Sequence, residues 1–461
     1  MTYAVILAGG VGSRFWPFSR ELEPKQFMKI IGQQSLLQST IHRTVELIDP
    51  KNIYIITNQI YYYEVLEQIR GFRIPKPNII LEPEGKNTAP AVGLCAQLIS
   101  KKDKDSVLLV LPADHYVKGL DKYNKTMLKA IELAKNGLLV TIGIRPTEPS
   151  TAYGYIKIRT GKNKKYYSVE KFLEKPGFEY AKKYLRSKDY FWNSGMFAWK
   201  SAVILDEIKK YLPGLYENIK NIHSKDDIVK VWPRIKSISI DYGVMEHSRK
   251  IALIPADFYW TDLGSWDALK EIFYKDAKGN ILNGDTLDLK SKGICVFNRG
   301  NRLVCTLGVK DLVIADTPDA LLVCNKDNTQ DVRSVVEILK VSKRKERLTH
   351  LTEKRPWGLF TILQTGQGFK IKLIEINPGK RLSLQKHRKR AEHWVVVSGI
   401  AKVTSGNKTK FVKANESIYI PKGVKHRLQN PARAPLKIVE VQTGNYLEED
   451  DIERLDDDFR R

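Results

Sequence analysis

Short apolar runs alternate with amphipathic segments through the first half of the chain. Residues 3–8, 52–57, 78–81, 106–111 and 138–143 are nearly continuous apolar runs of strand length. Such runs predict strands buried on both faces. The segments between them carry helical patterns. In residues 88–102, Val92, Cys95, Ala96 and Ile99 recur at i, i+3, i+4 and i+7. Thr88 is placed to cap that helix, with Pro90 in its first turn. Strand–helix alternation predicts an α/β fold, with a mixed but mostly parallel, Rossmann-like sheet covered by helices on both faces. Ligands in such sheets bind beyond the carboxyl ends of the strands.

The pattern changes near Asp276. Residues 276–340 read as short strands with Gly- and Asp-rich turns, then a helical stretch from Gln330. Residues 342–347 (SKRKER) are charged and read as a linker. From Lys354 the chain is all-β in pattern, with Pro-Gly, Ser-Gly and Lys-Gly turns, which suits a small barrel or jelly roll. Acids dominate the tail, residues 448–461. We therefore expect an α/β domain over 1–275, a short β-rich connecting domain over 276–344 and an all-β domain over 345–461.

Composition narrows the function classes. The 461 residues carry a formal net charge of +25. The lysines are scattered and no nucleic-acid-binding motif accompanies them, so a solvated surface and a locally basic cleft for a polyanionic substrate are expected, and no nucleic-acid partner. Cys95, Cys295, Cys305 and Cys324 form no CxxC pair and sit among apolar neighbours, which predicts buried free thiols in a reducing compartment. The first apolar run lacks a basic leader and runs into a Gly-rich loop, so it reads as a strand and not a signal peptide. No apolar run is long enough to span a membrane. A cytoplasmic protein without a membrane partner is the expectation; a homo-oligomer stays open.

Candidate chemistry begins at that loop. Gly9, Gly10, Gly12 and Ser13 directly follow the first strand, where backbone amides can approach phosphate. The loop is neither a dinucleotide fingerprint nor a Walker loop. Arg14 on the loop and Lys25 shortly after supply positive charge suited to a displaced pyrophosphate. Asp114 follows the run 106–111 at a strand's carboxyl end, and Asp262 lies in a comparable context within YWTDLGSW. Two carboxylates of this kind suit one Mg²⁺ held against substrate phosphates.

The strings GGVGSRFWP, PKQF, EPEGKNTAPA, LPADH, FLEKP, FWNSGMFAW and WTDLGSW occur in order. In this the chain resembles bacterial mannose-1-phosphate guanylyltransferases, and over its whole length their bifunctional form fused to a type II mannose-6-phosphate isomerase. Phe15 and Phe18 stand where leucines are usual, and Lys86 where Arg is common. That last exchange keeps the charge but loses a bidentate fork toward phosphate or base. The resemblance implies transfer of GMP from GTP to mannose 1-phosphate, giving GDP-mannose and pyrophosphate. It implies that Gly9, Gly10, Gly12, Ser13 and Arg14 hold the GTP phosphates with Lys25 beside them. Glu82, Asn87 and Thr88 would lie against guanine and ribose. Gly154, Glu174, Lys175 and Asn193 would bind mannose 1-phosphate, and Asp114 and Asp262 would hold Mg²⁺. The Gly loop and the acidic pair alone are equally compatible with a sugar-1-phosphate nucleotidyltransferase of other specificity.

In the last region Gln385, His387, Glu392, Gly399, Asn415, Pro421, Gly423 and His426 fall at the spacing of the two cupin motifs, with Gln and Asn replacing two usual residues. A cupin barrel results, in which Gln385 and His387 share a face by strand alternation and Glu392 and His426 join from neighbouring strands. This donor set suits Zn²⁺ or another divalent metal. Residues 355–358 (RPWG) and 390–394 (RAEHW) further resemble type II isomerases, which interconvert mannose 6-phosphate and fructose 6-phosphate. That likeness makes Arg390 the basic catalytic residue nearest the ligands. Lys386, Arg388 and Lys389 stand where the family commonly shows histidines around His387. A guanylyltransferase with a non-catalytic cupin is the alternative those replacements leave open.

Overall fold

The computed structural model describes residues 1–10, 12–159 and 166–458. Val11 of the glycine loop and residues 459–461 of the acidic tail lie outside the described residues. The chain forms two compact units, Met1–Leu348 and Thr349–Arg461.

In chain order the first unit opens with β1 (Thr2–Leu7), β2 (Ile53–Asn58), β3 (Ile79–Glu82), β4 (Val107–Pro112) and β5 (Tyr116–Lys118). It continues with β6 (Leu139–Ile144), β7 (Tyr155–Ile158), β8 (Tyr167–Leu173), β9 (Tyr190–Lys200), β10 (Ile251–Pro255) and β11 (Tyr259–Thr261). All but β5 and β11 join one sheet in the order β3-β2-β1-β4-β9-β6-β10-β8-β7. β3, β2, β1 and β4 run parallel. β9 enters antiparallel between β4 and β6, which makes the sheet mixed. The continuous apolar runs have a direct cause. Tyr3 and Val5 feed one hydrophobic core, whereas Ala4 and Ile6 feed the core on the opposite face. Leu108 and Val110 alternate with Leu109 and Leu111 in the same way.

The helix Thr88–Lys102 has the expected span, but Asn87 caps it: its side chain accepts from the Thr88 amide. Thr88 is not free to cap, because its hydroxyl oxygen accepts from the Ile240 amide at 2.8 Å.

Residues beyond Asp276 belong to the first compact unit. The strands Ile281–Asn283, Cys295–Asn298 and Leu312–Asp316 stack in parallel, and Leu321–Asn325 closes them antiparallel. The helix Val332–Val341 follows. Phe297, Val313, Val332 and Val336 share one core with Phe15, Trp16, Phe18 and Leu263, so this segment packs directly behind the glycine loop and the residue after Asp262. In the charged stretch 342–347, residues 342–345 are exposed, whereas Glu346 and Arg347 are fastened to the first unit. Glu346 O accepts from Trp16 Nε1 at 3.0 Å and from the Arg20 guanidinium, and Arg347 O accepts from the Glu21 amide. The thiols also divide: Cys95 and Cys295 are buried, Cys324 is half-buried and Cys305 is exposed. Cys305 lies on the outer face of Val304–Leu307, whose burial alternates along the strand.

The second unit is a barrel of two antiparallel sheets, one of six strands and one of five. Arg390, Glu392, Trp394 and Val396 are buried, and the residues between them face outward apart from Ala391. The acidic tail is built into this barrel. Ile452–Asp456 pairs with Leu384–His387, and Lys386, Arg427 and Arg381 hold Glu453, Asp456 and Asp458. Among the described residues no helix is long and apolar enough to cross a membrane.

Candidate functional site

Two adjoining cavities of about 750 and 830 Å³ open at the carboxyl ends of β1, β3 and β4. Their volumes suit a drug-sized or nucleotide-sized ligand. Gly9, Gly12, Ser13, Arg14 and Lys25 border the first; Gly9, Gly10, Glu82, Asn87, Thr88, Gly154, Glu174, Lys175 and Asn193 border the second. Asp114 and Asp262 border both. All the residues expected at a transferase site are thus brought together.

The two acids are 148 residues apart and are joined by a two-stranded ribbon. β11 pairs with β5, Thr261 opposite Tyr116, so the residue after β11 meets the loop before β5. Lys25 fastens the arrangement. Its Nζ lies 2.7 Å from Asp114 Oδ2 and donates to the carbonyl oxygens of Asp262 at 2.6 Å and Leu263 at 3.2 Å. Burial works to raise the Asp114 carboxyl, but Lys25, with smaller contributions from His115 and a backbone hydrogen bond, holds the group below the ordinary range. Tyr153 donates to Asp262 Oδ1 at 2.9 Å, and burial beside that carboxylate pushes the phenol up. Gly12 is required here: at φ 62° a Cβ would stand 2.5 Å from Lys25 Cβ.

His115, quoted in LPADH without a role, borders both cavities. Trp260 Nε1 donates to its Nδ1 at 3.1 Å, which places the ring proton of the neutral form on Nε2. Burial lowers its pKa to about 4, so the imidazole is uncharged at neutral pH.

The deep end of the second cavity is lined by carboxyls. Asn193 Nδ2 donates to Asp241 Oδ1 at 2.8 Å, and Asn193 Oδ1 accepts from the Gly195 amide at 3.0 Å. Burial, reinforced by Glu174, raises Asp241 to about 7. Burial alone raises Glu82 to about 7. Glu174 Oε2 and Glu82 Oε1 are buried without a hydrogen-bond partner among the described residues. Gly154 admits Glu174, since a Cβ there would lie 2.3 Å from Glu174 Oε2. Lys175 is exposed, has φ 45° and pairs with Glu174 Oε1 at 3.2 Å. Lys86 borders neither cavity: it donates to the carbonyls of Pro233 and Ile235 and pairs with Glu84. As placed, Lys86 tethers the 233–235 segment.

Asp241 escaped sequence reasoning because it opens a short π-helical turn, Asp241–Met245, with no strand before it. Such turns frequently occur at functional sites.

A second cluster lies inside the barrel. His387 Nε2 is 3.1 Å from Glu392 Oε1, and His426 Nε2 is 3.6 Å from Glu392 Oε2. Gln385 Nε2 lies 3.4 Å from His387 Nε2, and the strands set Gln385 opposite His426. One donor atom from each of His387, Glu392 and His426 falls within 4.8 Å of the others, and all three residues are buried. The residues fit a metal ion. His426 donates from Nδ1 to Val424 O at 2.9 Å, leaving Nε2 bare, and His426 Nε2 and Glu392 Oε2 have no partner. Burial works to raise Glu392, but the two histidines and Arg390 outweigh it and bring it to about 2. Arg390 Nε donates to Glu392 Oε1 at 3.3 Å and Nη1 to Glu448 O at 2.9 Å. Glu440 joins them unforeseen. It accepts from Trp394 Nε1 and Gln442 Nε2, and burial next to Glu392 raises it to about 8. Its signal was parity: in Leu436–Gly444, Glu440 and Gln442 share the inward face of Leu436 and Ile438.

Residues 3–279 match the nucleotidyl transferase family, which defines the class of the first region. Residues 284–339 match a mannose-phosphate isomerase/GMP-like β-helix domain, and residues 342–457 the mannose-6-phosphate isomerase C-terminal family. A mannose-1-phosphate guanylyltransferase of Salmonella muenchen is 42% identical, covering 98% of this chain and 97% of its own. One from Escherichia coli K12 is 41% identical over 100% and 98%, and a xanthan biosynthesis protein of Xanthomonas campestris 39% over 99% and 98%. A solved structure from Thermus thermophilus, described as a mannose-1-phosphate geranyltransferase, matches with a TM-score of 0.67 and 36% identity, over 74% of this chain and 99% of its own. The chain belongs to the mannose-1-phosphate guanylyltransferase family.

Proposed function

We propose that the first unit transfers GMP from GTP to mannose 1-phosphate, releasing pyrophosphate. The observation that carries this reading is the pair of cavities meeting at Asp114 and Asp262, one bordered by the glycine loop and Arg14, the other by Glu174, Lys175 and Asn193. The phosphate of mannose 1-phosphate is already an anion, so the transfer needs no covalent nucleophile from the protein. Its oxygen bonds to the α-phosphorus of GTP as the bond to the bridging oxygen breaks. Gly9, Gly10, Gly12 and Ser13 present the loop to the nucleotide phosphates with Arg14. Glu82, Asn87 and Thr88 lie where base and ribose would rest. Lys175 takes the sugar's phosphate, while Gly154, Glu174, Asn193 and Asp241 hold its hydroxyls. Lys25 keeps Asp114 charged and anchors the Asp262 loop. Asp114 and Asp262 border both cavities, and a pair of carboxylates there fits Mg²⁺. When bound there, Mg²⁺ supplies neutralisation of phosphate charge. Running the reaction backwards tests the reading: GDP-mannose plus pyrophosphate yields GTP, and GDP-glucose does so far more slowly.

The second unit reads as a mannose-6-phosphate isomerase, on the strength of the His387–Glu392–His426 cluster with Gln385 beside it. Zn²⁺ or another divalent ion held there supplies Lewis acidity toward a sugar carbonyl. Arg390 orients Glu392, and Arg355, Lys372 and Arg454 bring positive charge to the same cavity, as a sugar phosphate requires. The cavity is only about 60 Å³, room for a few waters. A cupin that binds metal without turning over substrate is the alternative. Both activities place the protein in the cytoplasm with its sugar phosphates.

A further inference from the structure

The helix Val332–Val341 follows the β-rich segment, yet one of its faces belongs to the phosphate cleft. Arg333, Val336, Glu337 and Lys340 fall at i, i+3, i+4 and i+7, and all four border the cavity of Arg14. Val332 and Val336 anchor the helix in the core that also holds Phe15, beside Arg14, and Leu263, beside Asp262. The helix is thus fixed to both walls of the cleft.

Arg333 goes further than its neighbours on that face. It borders both cavities, together with Gly9, Gly85, Asp114, His115 and Asp262. These residues mark the junction where the proposed transfer occurs. Among the described residues Arg333 has no ion pair and no side-chain hydrogen bond, and its side chain is exposed. Lys25, the cation expected to face the departing pyrophosphate, is instead occupied by Asp114 and two carbonyl oxygens. The leaving group carries several negative charges and needs donors that are not already committed. Glu337 and Glu21, the latter paired with Arg347, add opposing charge to the first cavity, but neither borders the second.

We propose that Arg333 is a catalytic residue of the transferase: its guanidinium binds the nucleotide's phosphates at the junction and neutralises the pyrophosphate as it leaves. This rests on the transferase reading above. The mannose 1-phosphate oxygen forms the new bond to the α-phosphorus. The bond between that phosphorus and the bridging oxygen breaks, and its electron pair departs on pyrophosphate beside Arg333. No proton moves. The helix that follows the β-rich segment is then part of the active site.

The test is calorimetric titration of inorganic pyrophosphate with Mg²⁺ into the full-length protein and into Arg333→Gln and Arg333→Lys. We expect Arg333→Gln to weaken pyrophosphate binding about 10- to 100-fold, as loss of a charge-assisted pair does, and Arg333→Lys to restore part of it. The KM for mannose 1-phosphate should stay within about twofold, the scale of a lost surface contact. Because Arg333 is exposed, unchanged melting temperatures will separate lost binding from lost fold. Pyrophosphate affinity in Arg333→Gln equal to wild type, or no binding in either, overturns the proposal. Turnover of GTP with mannose 1-phosphate by the wild type is measured in parallel, so failure of the transferase reading shows there and not in the titration.

Discussion

Lys25 and Asp114 are joined at 2.7 Å, and the same ammonium reaches the main-chain carbonyl of Asp262 at 2.6 Å. One side chain thus ties together two acids that lie far apart in sequence, and sets the charge state of one of them. Lys25→Met should leave two carbonyls and a carboxylate short of a donor, costing about 1–3 kcal/mol. The sign of its pH dependence follows. In the native chain Asp114 is depressed, so its contribution is present above the unfolded value of about 3.9 and is lost as pH falls through the lower folded value. Without Lys25, burial dominates and raises the carboxyl. The variant should therefore lose stability relative to wild type as pH rises from 4 to 7, measured by thermal melts.

Asp114→Asn and Asp262→Asn should each cut GDP-mannose formation by about 100-fold or more, the scale expected when charge stabilisation at a transferring phosphate is removed. Pyrophosphate release at saturating Mg²⁺ is the readout. Near-normal turnover in both variants would mean that neither carboxylate serves the reaction.

Asp241 is held up at about 7 by burial and by Glu174. The folded state keeps a proton that the unfolded chain releases near 3.9, so this group makes stability fall as pH rises from about 4 to 7, then level off. Asp241→Asn should flatten that slope. Asp241→Ala should also raise the KM for mannose 1-phosphate about tenfold, the worth of one buried hydrogen bond, and spare that for GTP. A GTP effect larger than the sugar effect would place Asp241 elsewhere.

The α/β pattern, the strand ends carrying Asp114 and Asp262, and the cupin spacing were legible because each depends on local periodicity or on short strings. What was not legible depends on tertiary partners. Nothing in the sequence around Lys86 says that its amine tethers Pro233 and Ile235, and nothing in the acidic tail says that Ile452–Asp456 will pair with the strand bearing His387. Thr88 looked like a cap until Ile240 claimed its hydroxyl. Arg333 sits in an ordinary amphipathic helix, and only the shared core with Phe15 and Leu263 brings it to the cleft of the glycine loop.

In the second unit, His426→Ala and Glu392→Gln should each abolish metal retention by the full-length protein, as elemental analysis after incubation with Zn²⁺, Co²⁺ or Mn²⁺ will show. Chelator treatment should likewise remove isomerase activity and leave pyrophosphate release intact once Mg²⁺ is restored. Arg390→Ala should lose isomerase activity while keeping the metal, because His387, Glu392 and His426 remain. Metal bound equally well by His426→Ala and Glu392→Gln would rule out this donor set.

The transferred group and its acceptor together define the enzyme, and one grid of substrates reads both. The four ribonucleoside triphosphates are each paired with mannose, glucose, galactose and N-acetylglucosamine 1-phosphates, and pyrophosphate release is followed with Mg²⁺ present. GTP with mannose 1-phosphate should exceed every other pair, by about 10⁴-fold for a base whose buried hydrogen bonds go unmade, and the product should be GDP-mannose. Faster turnover of another triphosphate or another sugar phosphate, or no pyrophosphate from any pair, would show the assignment of this site to be wrong.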